Sequence, residues 1–282
     1  MARLLKGAPV TEALTKKTAE RAAALKERGI EPTLLILRVG EREDDLAYEK
    51  GIRKRCGLTG VTIRETVFPE SVSAEELIRS LEEAGTDDSV HGILLFRPLP
   101  KGLDEEEILR HFPPEKDVDG CTEASCAGVF MGKELGFAPC TAEAVMELLS
   151  FYGIDPKGKR AVVLGRSLVI GRPVAMLLMH KHATVTICHT RTKDPDKEAS
   201  RAELLISAVG KAGSLTPSFT NPSQVIVDVG INWDAAAQRI VGDTDFDAVE
   251  PGVAAITPVP GGVGSVTTAV LCAHVVKAAE RA

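Results

Sequence analysis

The clearest indication of the fold is the segment RAVVLGRSLVIGRP at residues 160–173. Its short apolar run has the length of a buried strand, and glycines follow at positions 165 and 171. A glycine at a strand end permits a tight turn, and a second glycine lets the next helix begin close to the sheet. Amides at the start of that helix can receive a pyrophosphate. The stretch therefore predicts the opening strand, turn and helix of a dinucleotide-binding unit, although Ser167 replaces the usual middle glycine.

Apolar runs of strand length alternate with helical patterns on both sides of this stretch. Such alternation implies β-α-β units, parallel strand pairing and an α/β fold. The predicted strands are 33–39, 62–68, 92–96, 159–164, 184–189, 204–209 and 225–229. The predicted helices are 9–28, 41–56, 141–153, 171–181 and 265–282, with a further helix beginning at Ser73, where Glu76 completes a capping box.

Length and composition indicate a soluble protein of two domains, since 282 residues correspond to about two domains. The net charge of −6 argues against nucleic acid or an anionic membrane as the main partner. No signal peptide and no apolar run of about 18 residues is found, so a cytoplasmic location is expected. The six cysteines and six histidines show neither C-x-x-C pairs nor metal-ligand spacing. We therefore expect reduced thiols and no metal site.

The end of the strand at 184–189 bears on cofactor choice. An NAD-binding unit usually places Asp or Glu about 20 residues beyond the glycines, to hold the ribose 2′-hydroxyl. Here the corresponding residues are His189, Thr190 and Arg191, with no carboxylate. A cation and hydroxyl groups suit a 2′-phosphate, so NADP is favoured over NAD. The alternative is a solvated basic loop.

Six stretches, one of them within residues 160–173, resemble one family when taken in order and spacing. The chain is similar over essentially its whole length to the methylenetetrahydrofolate dehydrogenase/methenyltetrahydrofolate cyclohydrolase family. The stretches are PEKDVDG at 114–120, PCT at 139–141, GRS at 165–167, SAVGK at 207–211, DVGIN at 228–232 and TPVPGGVG at 257–264.

This resemblance implies a cytoplasmic homodimer with two α/β domains. The first, a folate-binding domain, is expected at 1–140 together with 265–282, because the C-terminal helix returns to it. The second, a Rossmann-type NADP domain, is expected at 141–264. The implied reaction is oxidation of 5,10-methylenetetrahydrofolate in one-carbon metabolism, followed in most members by hydrolysis of the methenyl product to 10-formyltetrahydrofolate.

The resemblance also assigns site residues. Tyr48 matches the tyrosine that stacks on the folate rings, a use that suits its flat face. Asp119 matches the aspartate that binds the pteridine; its alternative is a surface or capping carboxylate, a task that Asp117 could perform. Glycine-rich backbone that can approach a flat ligand is expected at Pro260, Gly261 and Gly262, where the alternative is a plain turn. The expected cofactor residues are Gly165, Arg166, Ser167, Gly171, Thr190, Arg191 and Ile231.

Two positions depart from the family pattern. The family lysine four residues after the tyrosine is Ile52 here, and the family glutamine after the third strand is Phe96. In bifunctional members, that lysine and that glutamine carry the cyclohydrolase step. On a helix, Lys50 and Lys54 would point roughly 160° and 120° away from Tyr48, so neither replaces the lysine without a local bulge. Exchanging both members of a polar pair leaves an apolar contact, whereas losing one would cost about 1–3 kcal/mol.

Three hypotheses follow. The first is an NADP-dependent dehydrogenase whose cyclohydrolase step is weakened or lost. The second is a fully bifunctional enzyme that uses Lys54 or Lys50 after a rearrangement. The third is a catalytically silent binder of folate or dinucleotide. Retention of Tyr48, Asp119 and the Gly165 turn argues against the third, because a silent binder need not keep both halves of the site.

Overall fold

The computed structural model describes residues 1–235 and 238–282, which divide into two compact units. The three-stranded unit comprises Glu12–Cys140 and Thr268–Ala282, and the six-stranded unit comprises Met1–Thr11 and Thr141–Thr267. The predicted division differs from these units mainly at Met1–Thr11. These residues belong to the six-stranded unit because a short N-terminal strand pairs in parallel with residues 255–256.

The elements of the described residues follow the predicted alternation closely. The strands are β1 (Arg3–Leu4), β2 (Thr33–Val39), β3 (Thr62–Phe68), β4 (Gly92–Leu95), β5 (Arg160–Leu164), β6 (Thr184–Cys188), β7 (Leu204–Ser207), β8 (Val225–Asp228), β9 (Asn232–Asp234), β10 (Arg239–Val241) and β11 (Ala255–Ile256). The helices are α1 (Gly7–Glu27), α2 (Glu43–Thr59), α3 (Ala74–Thr86), α4 (Glu105–Arg110), α5 (Glu123–Met131), α6 (Cys140–Phe151), α7 (Gly171–His180), α8 (Pro195–Ala199), α9 (Phe246–Val249) and α10 (Thr267–Arg281).

The three-stranded unit has a parallel sheet of order β3-β2-β4. Every residue of the central strand β2 is buried, as expected for a parallel strand covered on both faces. Leu37 lies opposite Leu95 of β4, and both belong to the main core of this unit. The hydroxyl of Ser73 accepts a hydrogen bond from the Glu76 amide at 3.2 Å, which confirms the predicted start of α3.

The six-stranded unit has a parallel sheet of order β1-β11-β8-β7-β5-β6. After β5, the chain adds β6 on one side and then crosses back to add β7 on the other. The strand order therefore reverses between β5 and β7. In open α/β sheets, ligands bind outside the carboxyl ends of the strands at such a switch point. This sheet confirms the predicted Rossmann-type architecture and places a candidate site after Leu164.

The cysteine side chains agree with the expectation of reduced thiols. All six cysteines are free thiols, and four of them are buried, as predicted. The sulfur atoms of Cys56 and Cys272 lie 3.6 Å apart, within hydrogen-bonding distance, and form no disulfide. Within the described residues, no three His, Cys, Asp or Glu side chains are grouped as metal ligands. None of the helices there has the length and apolar character that crossing a membrane requires.

Candidate active site

A cavity of about 340 Å³ lies at the switch point of the six-stranded unit. Gly165 has φ +116°, and a Cβ atom there would overlap the carbonyl oxygen of Ala208. A Cβ atom at Gly171 would overlap the carbonyl oxygen of Gly165. Both positions therefore require glycine, as the sequence predicted. The lining residues are Leu164, Gly165, Arg166, Ser167, Cys188, His189, Thr190, Pro195, Ala208, Val209, Ser214 and Phe219.

The turn between β5 and α7 satisfies its own amides. The Ser167 hydroxyl accepts hydrogen bonds from the amides of Ile170 at 3.3 Å and Gly171 at 3.5 Å. The Arg172 amide donates to the Ser167 carbonyl oxygen at 3.0 Å. This differs from the free amides that the sequence predicted, because Ser167 supplies a hydroxyl where the usual pattern has glycine. The exposed side chains of Arg166 and Ser167 are the polar groups that this turn offers to the cavity.

The residues after β6 form the other polar part of the cavity. His189 and Thr190 line it, and none of its lining residues carries a carboxylate. The Arg191 amide donates to the His189 ring at 3.1 Å, which fixes a tight turn. Arg191 and Ile231 are exposed and are not among the lining residues. The cavity thus combines Arg166, a histidine and hydroxyl groups, a donor set that fits a phosphorylated ribose.

The glycine-rich loop after β11 also belongs to the six-stranded unit. The peptide bond before Pro260 is cis, and Gly261 has φ +98°. Pro260 and Gly261 are exposed, whereas Gly262 is buried. The Gly7 amide donates to the Gly261 carbonyl oxygen at 2.7 Å, and the Ser265 hydroxyl donates to the Gly262 carbonyl oxygen at 2.7 Å. The loop is therefore held in a defined shape with part of its backbone exposed.

In the three-stranded unit, Tyr48 and Ile52 lie on α2, and Phe96 lies directly after β4. The rings of Tyr48 and Phe96 meet edge to face, with centroids 6.0 Å apart. Ile52 is fully buried, Phe96 is 6% exposed and Tyr48 is 38% exposed. Helix α2 continues without interruption from residue 43 to 59, and Lys50 and Lys54 lie on its exposed surface. At position 52 the helix therefore carries a buried apolar side chain.

A buried ion pair that the sequence did not reveal lies beside Tyr48. Arg38 of β2 donates through Nε to the Glu49 carboxylate of α2 at 3.1 Å, and both side chains are less than a tenth exposed. Arg38 also donates to the Gly40 carbonyl oxygen. Arg53 donates to the second Glu49 oxygen at 2.8 Å. This network fastens the end of β2 to the helix turn that carries the tyrosine.

Asp117 organises the turn from which Asp119 projects. Asp117 is fully buried and its carboxylate accepts four hydrogen bonds from the following residues. The donors are the amides of Cys121 at 3.0 Å and Thr122 at 2.8 Å, the thiol of Cys121 at 3.3 Å and the hydroxyl of Ser125 at 2.6 Å. Asp117 therefore stabilises this turn, which leaves the Asp119 carboxyl available for another partner.

The surroundings of Asp119 set its protonation. Burial, together with the neighbouring Asp117 carboxylate, raises the pKa of Asp119 to about 6. A hydrogen bond with Cys140 and the positive charge of Arg97 act in the opposite direction. A carboxyl with this pKa holds or releases a proton close to neutrality, and it can accept hydrogen bonds from an amino-pyrimidine edge.

Comparisons with known proteins match this arrangement. Residues 5–119 match the family model described as the tetrahydrofolate dehydrogenase/cyclohydrolase catalytic domain, and residues 139–282 match the NAD(P)-binding domain of the same family. The bifunctional protein FolD of Carboxydothermus hydrogenoformans is 50% identical over 281 residues, which cover 99% of this chain and 98% of that protein.

Two crystal structures share the fold of the whole chain. The bifunctional FolD dehydrogenase/cyclohydrolase of Campylobacter jejuni has a TM-score of 0.96 at 37% identity, covering 100% of this chain and 99% of that one. The Trypanosoma brucei FolD, complexed with NADP cofactor and inhibitor, has a TM-score of 0.92 at 33% identity, covering 99% and 98%. The chain belongs to the tetrahydrofolate dehydrogenase/cyclohydrolase family.

Proposed function

We propose that this protein catalyses the NADP-dependent oxidation of 5,10-methylenetetrahydrofolate to 5,10-methenyltetrahydrofolate. The observation that carries this proposal is the cavity at the Gly165 turn, whose lining is basic and hydroxylic and lacks a carboxylate. The Trypanosoma brucei relative binds NADP, in agreement with this lining. When bound, NADP would accept a hydride from the methylene carbon, so the protein's own task is binding and alignment.

The six-stranded unit is the proposed NADP domain. Its close-packed glycines at 165 and 171 let the cofactor approach the sheet, and Ser167 would contact the pyrophosphate. We assign the 2′-phosphate to Arg166, Thr190 and Arg191, because guanidinium groups match phosphate geometry. Ile231 is exposed next to β9 and would contribute apolar contact.

The three-stranded unit is the proposed folate-binding domain. The exposed ring of Tyr48 would stack on the folate, and its edge contact with Phe96 restricts its orientation. Asp119 would accept hydrogen bonds from the amino-pyrimidine edge. In the six-stranded unit, we propose Pro260, Gly261 and Gly262 as substrate-contacting backbone; Pro260 and Gly261 are exposed there.

We further infer that hydrolysis of the methenyl product is weakened or lost. That step needs a polarised water molecule and a group that transfers its proton. Neither Ile52 nor Phe96 has such a group. Because α2 is regular throughout, Lys50 and Lys54 stay roughly 160° and 120° from Tyr48 around the helix axis. Methenyltetrahydrofolate would then be the released product.

A second candidate function is the full bifunctional activity that yields 10-formyltetrahydrofolate. The names of the most similar relatives favour it, since they are described as bifunctional. It would require Lys54 or Lys50 to reach the Tyr48 side of α2 through a local rearrangement of the helix.

One assay separates these candidates. Purified protein is mixed with 5,10-methylenetetrahydrofolate and NADP, and the absorbances of NADPH and of methenyltetrahydrofolate are followed together. Accumulation of both supports the proposal, and NADPH without methenyl accumulation supports the bifunctional candidate. Formation of neither would contradict both and favour a silent binder. The Asp119→Ala variant is the negative control.

We also propose that the protein is a cytoplasmic homodimer, for which the hairpin β9–β10 offers a surface. Trp233 pairs with Ile240 across the hairpin, so both side chains share one face, and they are 63% and 42% exposed. A two-stranded hairpin is marginally stable alone, and a partner covering this face would stabilise it. Sedimentation equilibrium should show a dimer for the wild type and a monomer for Trp233→Lys; a monomeric wild type would contradict the proposal.

A further inference from the structure

We propose that Asp243 is a positioning residue for the dinucleotide, because its carboxylate holds the loop after β7 in the shape that walls the cavity at Gly165. This inference rests on the proposed NADP site and adds a residue that does not itself line the cavity. Asp243 is fully buried. Along the sequence it lies between the hairpin β9–β10 and helix α9.

Five donors converge on this one carboxylate. Three of them are consecutive backbone amides, an arrangement that makes a concave anion site, here occupied by the protein's own side chain. Oδ2 accepts from the Ser207 hydroxyl at 3.2 Å, the Val209 amide at 2.7 Å and the Gly210 amide at 3.2 Å, and Oδ1 accepts from the Lys211 amide at 3.0 Å and the Asn232 side-chain amide at 3.0 Å.

The loop that these bonds hold is a wall of the cavity. Ala208 and Val209 are lining residues; Val209 supplies one of the donors to the Asp243 carboxylate, and Ala208 lies between Val209 and the donor Ser207. On its other side the loop is fixed to β5, because the Ala208 amide donates to the Leu164 carbonyl oxygen at 2.8 Å. The Ala208 carbonyl also occupies the space where a Cβ atom of Gly165 would lie. A shift of this loop therefore changes the cavity and presses on the glycine turn.

Only a carboxylate satisfies this set of donors. An asparagine at position 243 has nearly the same volume, but one of its two oxygens becomes an NH₂ group. In either orientation that NH₂ faces N–H or O–H donors and leaves them without an acceptor. Asp243→Asn therefore disturbs the loop without opening a cavity in the core.

The test compares Asp243→Asn with Asn221→Ala. The Asn221 side chain donates to the Ser200 and Ala202 carbonyl oxygens at 2.9 Å in the same unit, and Asn221 does not line the cavity. For Asp243→Asn we expect the NADP dissociation constant to rise by about tenfold or more, with the Michaelis constant for the folate substrate close to that of the wild type. Hydrogen exchange should accelerate at residues 207–211 and remain slow in β5. Asn221→Ala should lose thermal stability and keep the wild-type NADP affinity.

Each result decides the inference. Unchanged NADP affinity in Asp243→Asn would overturn it, and so would faster exchange spread evenly over the six-stranded unit, because that indicates general destabilisation. A wild type that fails to bind NADP would overturn the proposed function itself, which separates the two failures. If Asp243→Asn does not fold, Ser207→Ala removes one donor; it should weaken NADP binding by about threefold, and an unchanged affinity would overturn the inference.

Discussion

Replacing Ile52 with lysine and Phe96 with glutamine should together bring back methenyltetrahydrofolate hydrolysis, whereas neither single change should do so. Ile52 lies on α2, one turn after Tyr48, and Phe96 lies directly after β4 with its ring against Tyr48. In the double variant the new amide and ammonium can hydrogen bond to each other, and the ammonium can polarise the substrate. The wild type is expected to have no enzyme-dependent hydrolysis.

The expected coupling in unfolding free energy between the two substitutions follows from the burial of Ile52 and Phe96. Ile52 is fully buried, so Ile52→Lys alone places an ammonium in a desolvated position, which lowers the lysine pKa. Phe96→Gln alone leaves a buried amide without a partner, at a cost of about 1–3 kcal/mol in unfolding free energy. When both are present, the two groups satisfy each other. The unfolding free energies should therefore couple by about 0.5–3 kcal/mol in a double-mutant cycle.

Two measurements check this prediction. Urea unfolding of the wild type, both single variants and the double variant gives the coupling. The decay of methenyl absorbance gives hydrolysis, with Ile52→Leu as the matched control, since it conserves volume without adding charge. The prediction is wrong if the changes in unfolding free energy of the two single variants add up in the double variant and the double variant does not hydrolyse methenyltetrahydrofolate. Rapid hydrolysis by the wild type would also refute it, and Lys54→Ala and Lys50→Ala would then identify the responsible group.

Three further predictions concern the proposed NADP site and the proposed folate-binding domain. Arg166→Ala and Arg191→Ala should each raise the Michaelis constant for NADP far more than that for NAD; equal use of both cofactors by the wild type would contradict this. Asp119→Asn should abolish folate oxidation while NADP titration stays normal. Because burial raises the pKa of Asp119 from 3.8 to about 6, the folded protein binds more protons than the unfolded chain between these values, so wild-type stability falls as pH rises through that window. The melting temperature of Asp119→Asn relative to the wild type should therefore increase across the same window, and a constant difference would argue against it. Glu49→Gln should lower the unfolding free energy by about 3–5 kcal/mol in urea, because it leaves the buried Arg38 charge without its carboxylate; a loss below about 1 kcal/mol would show that the pair is dispensable.

Local patterns were sufficient to predict the main strands. The sequence predicts β2 and β3 with the bounds that the structure has, because each is a short run with a turn residue, Gly40 or Gly60, close to one end. The strands β1 and β11 were not predicted. Each has two residues, and Arg3 pairs with Ala255 far along the chain, so neither leaves a periodic pattern.

The candidate site was predictable only where a motif marks it. The resemblance assigned roles to Tyr48 and Asp119, which remain proposals, and the sequence named Asp117 as the alternative structural carboxylate. The buried carboxylates Asp243 and Glu49 were not recognised as supporting groups. A buried carboxylate has the same letter as a surface one, and its role depends on donors that folding brings to it. For Asp243, side-chain donors come from positions 11 and 36 residues away.

We propose that this chain oxidises methylenetetrahydrofolate and leaves the methenyl product intact. To test this, methenyltetrahydrofolate is added to the wild-type protein and its decay is compared with that in buffer, in a preparation shown to form NADPH from methylenetetrahydrofolate and NADP. We expect equal decay rates with and without protein. Decay that increases in proportion to protein concentration would contradict it.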